Sequence, residues 1–127
     1  MAQPALGFLL QRLREARRDS LRDVAQLADI DHAYIYRLET GGKESPSEEA
    51  LSKLIKALKA EEREAEMLRY LAKHPETDTA LVEHVLQDKT VTFEEFSSVA
   101  GAAFRGTVRP DYAKLIDRVR RIIAMED

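Results

Sequence analysis

Residues 20–41 read SLRDVAQLADIDHAYIYRLETG, and the spacing within this stretch decides how the chain folds. Ser20 is of the residue type that caps a helix N-terminus, and Asp23, three residues on, suits the first turn of the helix it opens. Leu21, Val24, Ala25 and Ala28 then share one face of a short helix. Asp29-Ile30-Asp31 breaks that helix, and Asp31 caps a second one from His32 to Glu39, with Ile35 and Leu38 pointing inward. Thr40-Gly41-Gly42 stops it, because glycine reaches the positive φ that a helix end needs.

Working outward, residues 5–18 place Leu6, Leu9, Leu10, Leu13 and Ala16 at helical spacing. On the other side, Ser47 caps a helix whose buried stripe is Leu51, Leu54, Ile55 and Leu58. Residues 62–73 form a fifth helix with Met67, Leu68 and Leu71 inside. His74-Pro75-Glu76-Thr77-Asp78 reads as an interdomain linker, since Pro75 disfavours helix at His74 and the segment is polar. Thr79–Gln87 is a short helix carrying Leu81, Val82, Val85 and Leu86. Thr92 and Glu95 make a capping box that opens a helix through about Phe104. Residues 105–109 form a loop, and Pro110 lies in the first turn of a last helix ending near Ala124. The expectation is an all-α chain: a five-helix domain over 1–73, a linker over 74–78 and a small three-helix domain over 79–127.

Composition narrows the function. The chain has 127 residues, 44% of them hydrophobic and 34% charged, with five Gly and four Pro, a balance that fits neither a disordered chain nor a membrane one. With no Cys, disulfide frameworks and thiolate zinc sites are excluded, and a reducing cytoplasm suits the protein. Nothing approaches the roughly 18 consecutive apolar residues of a membrane span. The first 18 residues place their Arg after the apolar patch, the reverse of a signal peptide. His32, His74 and His84 are scattered, and no glycine-rich phosphate loop or nucleophile elbow occurs, so no enzyme, metal site or cofactor is expected. The net charge is −3; residues 1–46 and 47–74 are each neutral, and the excess acid lies in 75–127. Attraction to phosphate is therefore modest.

Two short helices joined by a three-residue turn, with a small residue at their crossing, follow the helix-turn-helix plan. Ser20 through Gly41 resembles the Cro/CI-type (XRE) helix-turn-helix repressors, and helix one together with Pro46-Ser47, Leu51 and Leu54 extends the likeness to about residue 60. Asp29 stands where that family usually has Gly, so a non-Gly residue must turn left-handed there, which Asp tolerates better than most. The resemblance implies a lambda-repressor-like DNA-binding domain whose third helix enters the major groove of a double-stranded operator. Its outward set is His32, Ala33, Tyr36 and Arg37: Arg37 for guanine or phosphate, His32 for a base edge or phosphate, Ala33 for a thymine methyl. Tyr34 and Tyr36 offer hydroxyls to phosphate, and Tyr34 is the more core-like of the two. Ser20 and Leu21 would present N–H groups to one phosphate, with Thr40, Gly41, Gly42 and Lys43 forming a second clamp. The resemblance also pairs Arg14 with Glu39 as a brace behind the third helix.

The second half carries Phe93, Phe96, Tyr112, Leu115, Ile116, Val119 and Ile122, more apolar surface than three short helices bury alone, so a homodimer is expected. Two half-sites about 34 Å apart would then be read together. The stretch from Phe104-Arg105-Gly106 to Arg109-Pro110 and the final helix resembles stress-response repressors cut by a partner zinc metallopeptidase, which would place cleavage at Phe104–Arg105. The leading expectation is a dimeric transcriptional repressor; the alternative is an antitoxin, or a protein-binding adaptor of a toxin–antitoxin pair.

Overall fold

The computed structural model describes residues 3–42, 45–102 and 110–126. Among these, eight helices and no strand form. The chain divides into two compact units, Met1–Thr79 and Ala80–Asp127.

The first unit contains α1 (Ala5–Ala16), α2 (Leu21–Ala28), α3 (His32–Thr40), α4 (Glu48–Leu58) and α5 (Glu62–Lys73). Its core is Leu9, Leu10, Val24, Ile35, Leu38, Leu51, Leu54, Met67, Leu68 and Leu71, all at helical spacing on their own elements. α1 stops at Ala16, two residues earlier than its sequence suggests, because Arg18 turns left-handed at φ 59°. Leu13 is consequently only half-buried and Ala16 exposed. α2 and α4 end in the same way, on Asp29 (φ 55°) and Lys59 (φ 51°), while α3 ends on Gly41 (φ 100°). Each such turn lets the next N–H groups reach back to the helix's last carbonyls, as Ile30 N–H does to Ala25 O. In α4, Ala57 is buried and Ile55 only half-buried, a small rotation of the stripe expected from sequence.

Segment 74–78 is mostly exposed and begins with its first ring against α5. The His74 ring stacks on Tyr70 at 4.2 Å, Thr77 Oγ1 donates to His74 O at 2.7 Å, and Thr79 Oγ1 donates to Gln3 O at 3.1 Å.

The second unit contains α6 (Thr79–Gln87, its first residue assigned to unit one), α7 (Phe93–Gly101) and α8 (Tyr112–Glu126). Leu81, Val82, Val85, Val91, Phe96, Val99, Tyr112 and Ile116 are its buried apolar residues. The capping box at Thr92 forms, and its Glu95 does more than cap. Glu95 Oε1 accepts from Thr92 N–H at 2.9 Å while Oε2 accepts from Arg120 Nε of α8 at 3.0 Å. The Thr90 hydroxyl accepts from Arg120 and donates to Asp88 Oδ1, and that bond is the chief cause of the Asp88 carboxyl lying below its ordinary range.

Three expectations need correction here. α7 ends at Gly101, with Ala102 extended, rather than continuing to Phe104; glycine is a poor helix former and releases the chain at that point. Pro110 lies two residues ahead of α8, whose start is capped by Asp111 Oδ1 accepting from Lys114 N–H at 3.2 Å, and α8 runs on to Glu126. Phe96, Tyr112 and Ile116, expected on a dimer face, are buried within this unit's own core, because α7 and α8 pack directly on each other. Phe93, Leu115 and Val119 are half-buried and Ile122 is 51% exposed.

Candidate nucleic-acid interface

α2 and α3 pack together around Ala25, which is buried; α2 leans on α4 and α3 leans on α1, with Val24, Ala28, Ile35 and Leu38 buried. That anchoring turns the opposite side of α3 to solvent. His32, Tyr36 and Arg37 are exposed there and Ala33 is half-buried. The Arg37 guanidinium stands 5.9 Å from the centre of the half-buried Tyr34 ring, an arrangement that steadies both side chains through the ring's negative face.

The far end of α3 is fixed by an ion pair. Arg14 Nε donates to Glu39 Oε2 at 2.8 Å and its Nη2 donates to Glu39 Oε1 at 2.9 Å, a two-pronged contact between α1 and α3. Nη1 also donates to Asp19 O at 3.0 Å, ahead of α2. One guanidinium thus touches α1, the α1–α2 turn and α3. The hydrogen bond to Glu39 is the main reason the Arg14 pKa is raised, against the effect of its own burial. Two further contacts were not legible in the sequence. Gln3 Nε2 donates to Glu39 O at 2.9 Å. Gly7 faces the same carbonyls so closely that a Cβ on it would overlap Glu39 O and lie 2.6 Å from Leu38 O. The amphipathic pattern of helix one passes over Gly7, and only the packing partner reveals why a side chain is excluded.

A family model described as a helix-turn-helix domain matches residues 5–68, which is α1 to most of α5. The chain belongs to the helix-turn-helix domain family. No curated protein and no solved structure matches it. The helix-turn-helix domain implies DNA binding and suggests a DNA-binding regulator; members of such families are typically not enzymes. Among the described residues no group of three or more His, Cys, Asp or Glu could hold a metal ion. No helix among them is long and apolar enough to cross a membrane.

Within the helix-turn-helix, carboxylates occupy the helix N-termini. Ser20 N–H donates to Asp23 Oδ2 at 2.8 Å and Asp23 N–H donates to Ser20 Oγ at 3.0 Å, a closed capping box. Ser20 is therefore already committed to Asp23, leaving the N–H groups of Leu21 and Arg22 as the donors in the first turn of α2 with no helical acceptor. These contacts, the Ser20 N–H bond first and its hydroxyl second, hold the Asp23 carboxyl below its ordinary range. Asp31 Oδ1 accepts from Ala33 N–H at 3.1 Å and lies 3.7 Å from His32 Nδ1. Thr40 Oγ1 donates to Tyr36 O at 2.8 Å, so its proton is directed back into α3. Lys43 lies outside the described residues, as do Phe104 and Arg105.

Proposed function

We propose that the protein is a homodimeric transcriptional repressor that lays α3 in the major groove of a specific operator. The observation that carries this reading is the outward face of α3: His32, Ala33, Tyr36 and Arg37 on one side, with Ile35, Leu38 and the Arg14–Glu39 pair securing the other. Four side chains of different chemistry on one solvent-facing helix surface suit the reading of base edges. Selecting bound sequences from random duplex DNA supplies the operator. Arg37→Ala is then expected to weaken operator binding by about 1–3 kcal/mol and to relax preference at one base pair. Unchanged affinity and unchanged preference in a folded Arg37→Ala protein would remove Arg37 from the interface.

Asp31 supports a second expectation. As an N-cap, Asn serves as well as Asp, so Asp31→Asn keeps α3 capped while deleting a negative charge from the end that approaches phosphate. Binding should tighten by about three- to tenfold at low salt, with the gain fading as salt rises. Equal affinity of the two proteins at low salt would mean that Asp31 does not approach the backbone of the DNA.

Dimerisation is assigned to α8, where Leu115, Val119 and Ile122 share one shoulder of the helix and remain partly exposed after the unit's own core is filled. Ile122→Glu places a charge on that shoulder without touching the core and should weaken the dimer on the order of 100-fold. Sedimentation of the full chain decides it, and an unchanged dimer would move the interface elsewhere.

A further inference from the structure

We infer that a depression between the ends of α1 and α2 and the second half of α4 is a docking site for an acidic peptide segment of a partner protein that presents a large apolar side chain. The depression holds about 460 Å³. Its rim is Arg17, Lys53, Lys56 and Lys59, and its floor is Leu27, Ala28 and Ala57. No carboxylate lines it, in a protein whose net charge is −3.

The floor sets this surface apart from a plain cationic patch. Leu27 is 60% exposed, one of four large apolar side chains left exposed among the described residues. Around α2 it lies roughly 200° from Ala25, the residue packed at the crossing with α3, so Leu27 turns to the α4 side and away from the recognition face. A phosphate backbone gains nothing from an exposed leucine between two alanines, whereas an apolar side chain flanked by carboxylates satisfies floor and rim together. The lysine stems extend the apolar wall while their ammonium groups stay in water.

The cations are available to a partner. Lys56 and Lys59 form no ion pair among the described residues. Lys53 faces Glu49 at 3.7 Å, an exposed pair that a better-placed carboxylate can replace, and Arg17 Nε donates to Asp19 Oδ2 at 3.0 Å. All four cations come from backbone fixed by the same core that fixes the helix-turn-helix, so no backbone ordering opposes binding and only the side chains must settle.

The test uses the ¹⁵N-labelled full chain and a synthetic 12-residue peptide of Asp and Glu with two leucines at i and i+3. Amide shifts should move at Leu27, Ala28 and Ala57. The same peptide with serine in place of leucine should bind at least tenfold more weakly. Leu27→Ser and Lys56→Glu should each weaken the leucine peptide at least tenfold while leaving thermal melting unchanged, because both side chains are exposed. Absence of binding, or equal binding of the serine peptide, overturns the proposal. So does random-sequence duplex DNA shifting the same amides, which would join the surface to the DNA interface. Concentration-dependent shifts without peptide would give the groove to a second copy of the chain and overturn it as well.

Discussion

Arg14→Met is expected to lower the stability of the first unit by about 3–5 kcal/mol, the largest loss of any exchange outside the apolar core. Glu39 is 4% exposed, and its carboxylate receives both prongs of the Arg14 guanidinium at 2.8 and 2.9 Å. Removing the arginine leaves that carboxylate dry and uncompensated at the end of α3. It also frees Asp19 O of its donor, loosening the turn that leads into α2. Replacing both partners, as Arg14→Met with Glu39→Leu, removes the stranded charge and should recover most of the loss, because a buried pair exchanged for apolar groups is often nearly neutral. Thermal melts of the four proteins give the coupling energy. A coupling near zero would show that the pair does not brace α3. Operator binding measured well below every melting point separates this loss of folding from a change at the DNA surface.

Gly7→Ala should also destabilise the first unit, for a reason of shape. The added methyl would overlap Glu39 O and meet Leu38 O at 2.6 Å, and both are backbone atoms that no rotamer change can move. α1 must back away from α3, which strains the Gln3 and Arg14 contacts to Glu39 together. Overpacking of this kind costs about 1–3 kcal/mol, and more where nothing yields. Helix propensity returns roughly 1 kcal/mol of it, so a net loss of about 1–2 kcal/mol is expected, rising further if the Leu38 and Glu39 backbone does not yield. Gly101→Ala is the control: its Cβ would meet nothing within 4 Å among the described residues, and the exchange should be neutral or mildly stabilising. Equal melting temperatures for Gly7→Ala and the parent protein would contradict the close approach of α1 to α3.

Much of what depends on neighbours along the chain is legible in the residues alone, although α1 and α7 end earlier than their residues suggest and Pro110 precedes α8 rather than opening it. The caps at Ser20, Asp31, Ser47 and Thr92 are local hydrogen bonds between a side chain and an N–H two or three residues on, and all four form where their residue types place them. Asp29 turns left-handed because α2 must end and the chain must enter α3 within three residues, a constraint carried in the spacing of Ala28 and Asp31. The inward positions Val24, Ala25, Ile35 and Leu38 follow from the 3.6-residue period, and with them the outward face of α3. Tertiary structure decided what depends on elements distant in sequence. Gly7 has no local reason to be glycine, and its role exists only because the end of α3 lies against it. Glu95 is a helix cap by sequence, and only the packing of α7 on α8 adds Arg120 as its partner. Phe96, Tyr112 and Ile116 read from sequence as surplus apolar surface needing a second chain, yet they are buried where α7 packs on α8; a list of apolar residues states how much must be buried, and the angle at which helices pack decides which of it one chain can cover. The groove floored by Leu27 belongs to the same class, since its four cations are spread from residue 17 to residue 59 and meet only in three dimensions.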